Sequence, residues 1–146
     1  MESKMSNWEK LYETALQLNH KGDHESSAKI LITLADEGYS PAQCMLALYY
    51  KREIGVPKDY SKAVHYYKLA ADQGYVDAQY ELAVCFEKGL GVEKDYSISA
   101  HYFLLAAKQG NKSAMFELAG LYETGLGVSR DDKEAAYWYK KYNEEG

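Results

Sequence analysis

Residues 42 to 77 and residues 78 to 113 lie over each other without a gap, and 17 of the 36 paired positions are identical. A third copy begins at Ala114 with "AMFELAGLYETGLGVSRDDKEAAYWYKKYN". Asp23, Asp59, Asp95 and Asp131 fall on the same 36-residue beat, and so do Gly38, Gly74 and Gly110. A fixed period of this size restricts the chain to a repeat architecture. One supersecondary unit recurs, and each copy buries its apolar face against its neighbours.

Within each copy the apolar residues recur at helical spacing. Leu46, Ala47 and Tyr50 share one stripe, and Leu82, Ala83 and Phe86 repeat it one copy later. The second half of the copy carries Tyr66 and Ala70, then Tyr102, Phe103 and Ala106. Asp59, Asp95 and Asp131 stand where an N-cap is wanted, and Asp131 with Glu134 approximates a capping box. Gly38, Gly74 and Gly110 follow the second helices, where a left-handed residue commonly ends the ladder. Ser40-Pro41 reads as an N-cap followed by proline at the first helical position. These signals predict an all-α chain of eight helices in four antiparallel pairs. It reads as one domain over residues 1–146, with units at 7–38, 41–76, 77–112 and 113–143.

The stretch "EKGLGVEKDY" sets Gly89 and Gly91 one residue apart between two helices. A phosphate-binding loop is needed once, but this pair recurs as Gly125 and Gly127. Gly55 keeps the second member while Glu53 replaces the first. No G-x-x-x-x-G-K-[ST] pattern and no predicted strand precedes them, so they read as connectors.

A chain of 146 residues can bury about 68–70% of the surface its unfolded form exposes, enough for a core without metal or disulfide help. It has 15 Tyr and only 2 Pro, and no segment is depleted in apolar residues, which argues against disorder. The net charge is −5 with acids and bases interspersed, so neither nucleic acid nor an anionic membrane is expected as a partner. The opening "MESKMSNWEK" has no apolar stretch of signal-peptide type, and no run approaches a membrane span. A cytoplasmic location is expected.

Few residues suggest chemistry. His20 and His24 have the four-residue spacing of helical metal ligands, but Gly22 lies between them and nothing completes a zinc shell. His65 and His101 are repeat-equivalent, with Tyr137 at the third position, and read as packing residues. Cys44 is replaced by Tyr80 and Phe116 in later copies, and Cys85 by Tyr49 and Leu121, so both cysteines read as packed apolar variants. No serine lies in a G-x-S-x-G elbow. No catalytic residue, metal or cofactor is expected.

The pattern "AQYELAVCFEKGLGVEKDYSISAHYFLLAAKQG" resembles the Sel1-like repeat, a relative of the tetratricopeptide repeat with a longer glycine-containing connector. The resemblance covers residues 41 to 143, while residues 7 to 38 look like an ordinary tetratricopeptide unit with a connector about four residues shorter. It implies a right-handed α/α superhelical solenoid whose first helices line a concave groove. It also implies a scaffold or adaptor binding a segment of another protein, often in bacterial signalling, secretion or host interaction. A dedicated immunity or secretion adaptor is the narrower alternative. A cysteine-rich branch of the family is reported to act on β-lactams. Its paired cysteines have no counterpart in Cys44 and Cys85, which lie 41 residues apart at non-equivalent positions. By analogy with tetratricopeptide stacks, the groove register holds Tyr12, Leu16, Asn19 and His20, then Cys44, Leu48, Lys51 and Arg52. It continues with Tyr80, Val84, Glu87 and Lys88, then Phe116, Gly120 and Glu123. The resemblance implies anchors at Tyr12, Leu16, Leu48, Tyr80, Val84 and Phe116, with Lys51, Arg52 and Lys88 steering a monomeric module's partner.

Overall fold

The computed structural model describes residues 3–144. Among them are eight helices: α1 (Lys4–His20), α2 (His24–Asp36), α3 (Ser40–Arg52), α4 (Tyr60–Asp72), α5 (Val76–Lys88), α6 (Tyr96–Lys108), α7 (Lys112–Thr124) and α8 (Asp132–Glu144). The described residues contain no strand. From α2 onward every helix has 13 residues, and equivalent helices start 36 residues apart, as the sequence period requires. The chain divides into two compact units, Met1–Gln73 and Gly74–Gly146. Within each, successive helices pack on one another.

The caps explain why the helices begin where they do. Asp23 accepts from the backbone N–H of Ser26, Asp59 from Lys62 and Asp95 from Ile98. Asp131 accepts from both Lys133 and Glu134. Each bond satisfies a donor that the first helical turn leaves without a partner, and is worth about 1 kcal/mol. The expectation at Ser40 is corrected by one position: Tyr39 is the N-cap of α3, and no side chain caps it. Tyr75 plays the same part for α5, whereas Asn111 caps α7 by accepting from Ala114. Tyr39 is instead held by packing, its ring 5.3 Å from Trp8 and 5.7 Å from Tyr12.

The two connector glycines do different jobs. The first, Gly89 or Gly125, is the left-handed C-cap of α5 or α7, and Glu53 adopts the same conformation at the end of α3 with φ 57°. The second is a point of close approach. A Cβ on Gly55 would collide with the backbone carbonyl of His24 at the start of α2, and one on Gly127 with that of Tyr96 at the start of α6. The long connector therefore folds back onto the entry of the preceding second helix, and only glycine lets it seat there.

The core of the first unit contains Ala15, Leu31, Leu34, Leu46, Tyr49 and Tyr67, all at most 1% exposed. Its buried Ser27 hydroxyl donates to the Ala15 carbonyl (2.7 Å) and lies 2.9 Å from the Tyr49 hydroxyl. The second unit packs Leu82, Ala83, Phe103, Met115, Leu118 and Trp138, and its Ser99 hydroxyl repeats the bond by donating to Ala83. A glutamine pair recurs as well. Gln73 donates to Gln43 in the first unit and Gln109 to Gln79 in the second, each at 2.8 Å, with the accepting residue buried. These bonds use up the amides of the recurrent Ala-Gln and Gln-Gly dipeptides, which are structural residues.

Candidate functional site

In the first unit, Tyr12 and Leu16 lie on α1 and Leu48, Lys51 and Arg52 on α3. Tyr12 is half-buried with its ring edge against Tyr39, Leu16 is exposed and Leu48 half-buried. Lys51 and Arg52 end α3 as Lys88 ends α5, where a cation complements the negative end of the helix dipole. Their positions thus have a helix-stabilising explanation beside the expected steering role.

In the second unit, Tyr80, Val84 and Lys88 lie on α5 and Phe116 on α7. Tyr80 and Val84 share one stripe of α5, both half-buried. The Tyr80 ring lies 5.6 Å from Phe103 of α6. Phe116 of α7 is 48% exposed, a large share for a phenylalanine within a helix. It is flanked by two rings of α8, Tyr139 at 5.7 Å and Tyr142 at 5.4 Å. Gly120 follows one turn on, and open space surrounds the place of its missing Cβ. Nothing in the packing calls for glycine there, although glycine inside a helix costs about 0.5–1 kcal/mol against alanine. The result is an aromatic surface with a bare backbone dip beside it.

Carboxylates act on Tyr80 and Tyr139, while the Lys112 ammonium lies 5.2 Å from the Tyr142 ring. Burial pushes the Tyr80 hydroxyl pKa upward, and the carboxylates of Glu117, Glu81 and Glu87 push the same way. Tyr139 is raised by burial and then by Glu123 and Glu117. Glu87 itself is raised by burial first and Glu117 second, with Lys88 and Lys94 partly opposing. Glu87, Glu117 and Glu123 take part in none of the ion pairs seen among the described residues, such as Lys68–Asp72 and Lys140–Glu144.

Sequence reasoning found Tyr80, Val84 and Phe116 but missed Glu117, Tyr139 and Tyr142 as parts of this surface. Tyr142 carried a signal, standing where the earlier copies have Ala70 and Ala106. Tyr139 carried little, because its equivalents Tyr67 and Phe103 are buried core. The histidine expectation is corrected. His65 and His101 are exposed, each with its ring edge against the next tyrosine (Tyr66 at 5.0 Å, Tyr102 at 5.1 Å), and do not pack in the core. His24 pairs a ring nitrogen with the Asn19 side chain.

Three consecutive matches to the Sel1 repeat model cover residues 40–75, 76–111 and 112–146. The chain belongs to the Sel1 repeat family. Sel1 repeats are generally non-catalytic interaction scaffolds. A Sel1 repeat protein from Oxalobacter formigenes is 29% identical with a TM-score of 0.85, over 93% of this chain and 54% of that one. A protective antigen present in uropathogenic Escherichia coli strains, displaying an SLR fold, is 32% identical with a TM-score of 0.87. That match covers 99% of this chain and 34% of the antigen. The chain thus spans about half and about a third of the length of these two relatives. Helicobacter pylori cysteine rich protein B, at 20% identity and a TM-score of 0.66 over 84% of this chain and 90% of that one, shares the fold alone. A comparison with curated protein sequences finds no match. The Sel1 matches begin where α3 begins and leave out α1 and α2. Those two helices are joined by residues 21–23, where the Sel1 pairs use the longer connectors 53–59, 89–95 and 125–131. No helix among the described residues is long and apolar enough to cross a membrane.

Proposed function

We propose that this Sel1 repeat chain is a non-enzymatic adaptor that holds a segment of a partner protein on its first-helix faces. Tyr12, Leu16, Leu48, Lys51 and Arg52 supply the face of the first unit, and Tyr80, Val84, Lys88 and Phe116 that of the second. The observation that supports this reading most is Phe116. A phenylalanine half open to solvent between two tyrosines leaves apolar area uncovered at a place where the fold does not need it. Buried aromatic anchors commonly dominate the binding energy of protein interfaces.

The test is affinity capture from the native cell with the wild-type chain and a Tyr80→Ala, Phe116→Ala double variant, each checked for cooperative unfolding. The reading expects a partner retained by the wild type and lost by the folded variant. Equal capture by both would move the site away from these helices.

A further inference from the structure

We propose that the α5–α7–α8 surface of the second unit takes an arginine-bearing segment of the partner, with a guanidinium laid on the Phe116 and Tyr139 rings and held by Glu117 and Glu123. This deepens the reading above and rests on it.

Three observations converge on that occupant. The first is geometric: Phe116 is 48% exposed with Tyr139 and Tyr142 at 5.7 and 5.4 Å, so aromatic area from two helices is presented at one place. The second is electrostatic. Glu123 and Glu117 act on Tyr139, while Glu117, Glu81 and Glu87 act on Tyr80. Lys88 and Lys94 act on Glu87, and the Lys112 ammonium lies 5.2 Å from the Tyr142 ring, but among the described residues no cation stacks on Phe116 or Tyr139. The third is Gly120, which leaves the backbone bare one turn beyond Phe116 and three residues before Glu123.

An aromatic face bordered by carboxylates favours a cation twice, through the ring quadrupole and through the ion pair. Arginine suits it better than lysine. Its planar guanidinium stacks on rings while its fork donates to a carboxylate, and it loses less hydration on the way in. An acidic or purely aliphatic segment would leave Glu117 and Glu123 facing a like charge or desolvated without compensation. The same field opposes a second copy of this face, because two such surfaces would bring carboxylates together.

The proposal is tested with the full chain and a labelled twelve-residue peptide of alternating arginine and leucine, beside versions carrying glutamate or lysine in place of arginine. Fluorescence anisotropy reads the affinity. The arginine peptide is expected to bind at least about tenfold tighter than the glutamate peptide and measurably tighter than the lysine one. Phe116→Ala should weaken it about thirtyfold, the effect of losing a central anchor. A Glu117→Gln, Glu123→Gln double variant, which keeps the shape and removes the charge, should weaken it about tenfold.

Equal binding of the arginine and glutamate peptides overturns the proposal, as does arginine-peptide binding that the glutamine variant leaves unchanged. To separate the two levels of inference, a neutral random peptide library displayed on phage is selected on the same chain. Binders that lack arginine but depend on Phe116 sink the cationic occupant and leave the adaptor face standing. Selected binders indifferent to both Tyr80 and Phe116 sink both. Dimerisation that Phe116→Ala abolishes would replace the arginine segment with a second copy of the chain.

Discussion

Glu53 holds a φ of 57° at the end of α3, where Gly89 and Gly125 hold 70° and 73° at the ends of α5 and α7. A side chain in that conformation costs about 1–2 kcal/mol, and glycine gives back about 0.5–1 kcal/mol through its freer unfolded chain. Glu53→Gly is therefore expected to stabilise the protein by about 0.5–1 kcal/mol, read as a higher urea midpoint at unchanged slope. A lower midpoint would show that the Glu53 side chain contributes more than its backbone strain costs. Glu87 supplies a second residue-scale test. Its carboxyl pKa is raised in the folded protein, by burial first and Glu117 second, so the folded state binds a proton more readily than the unfolded one. A raised carboxyl destabilises the fold once pH climbs past the unfolded value, fully so above the folded one, and has no effect when both states are protonated. Glu87→Gln should thus raise the melting temperature at pH 7, and that gain should vanish as pH falls toward the ordinary carboxyl range. A gain that persists at low pH would point to packing as its source.

At the scale of the element, helix ends are what the sequence displays most plainly, because a cap is a local transaction between a side chain and the next turn. Asp59, Asp95 and Asp131 were identifiable as caps from spacing, and each caps the helix it precedes, as does Asp23, which shares their beat. The tie between helices was not identifiable. Gln43 with Gln73, and Gln79 with Gln109, lie 30 residues apart, and only packing reveals that each pair meets. The same holds for Phe116 with Tyr139 and Tyr142. Periodicity assigns a residue to a face of its own helix, but says nothing about which side chain of another helix will reach it. Gln109 also donates to the Gly74 carbonyl (3.0 Å), so Gln109→Ala removes a shared donor from two acceptors. A loss of about 1–3 kcal/mol in unfolding free energy is expected, since a buried amide oxygen gives up a hydrogen bond that water cannot replace there. A neutral effect would mean that water or a shifted side chain takes over the bond.

At the scale of the whole molecule, one solution is used in both units: an aspartate-capped second helix, a left-handed residue closing the first, and a connector glycine seated on a neighbouring helix start. The residues that recur are consumed in building this frame, and the proposed binding face draws on those that break the pattern. Tyr142 replaces alanine, Gly120 stands where Leu48 and Val84 stand, and Phe116 remains half exposed. The proposed role of this aromatic face is to anchor a partner protein. Its most direct test is calorimetric titration of the partner captured from the native cell into the wild-type chain and into folded Phe116→Ala. A loss of about 2 kcal/mol, close to thirtyfold in affinity, is predicted. An unchanged affinity would contradict the account and place the contact elsewhere on the chain.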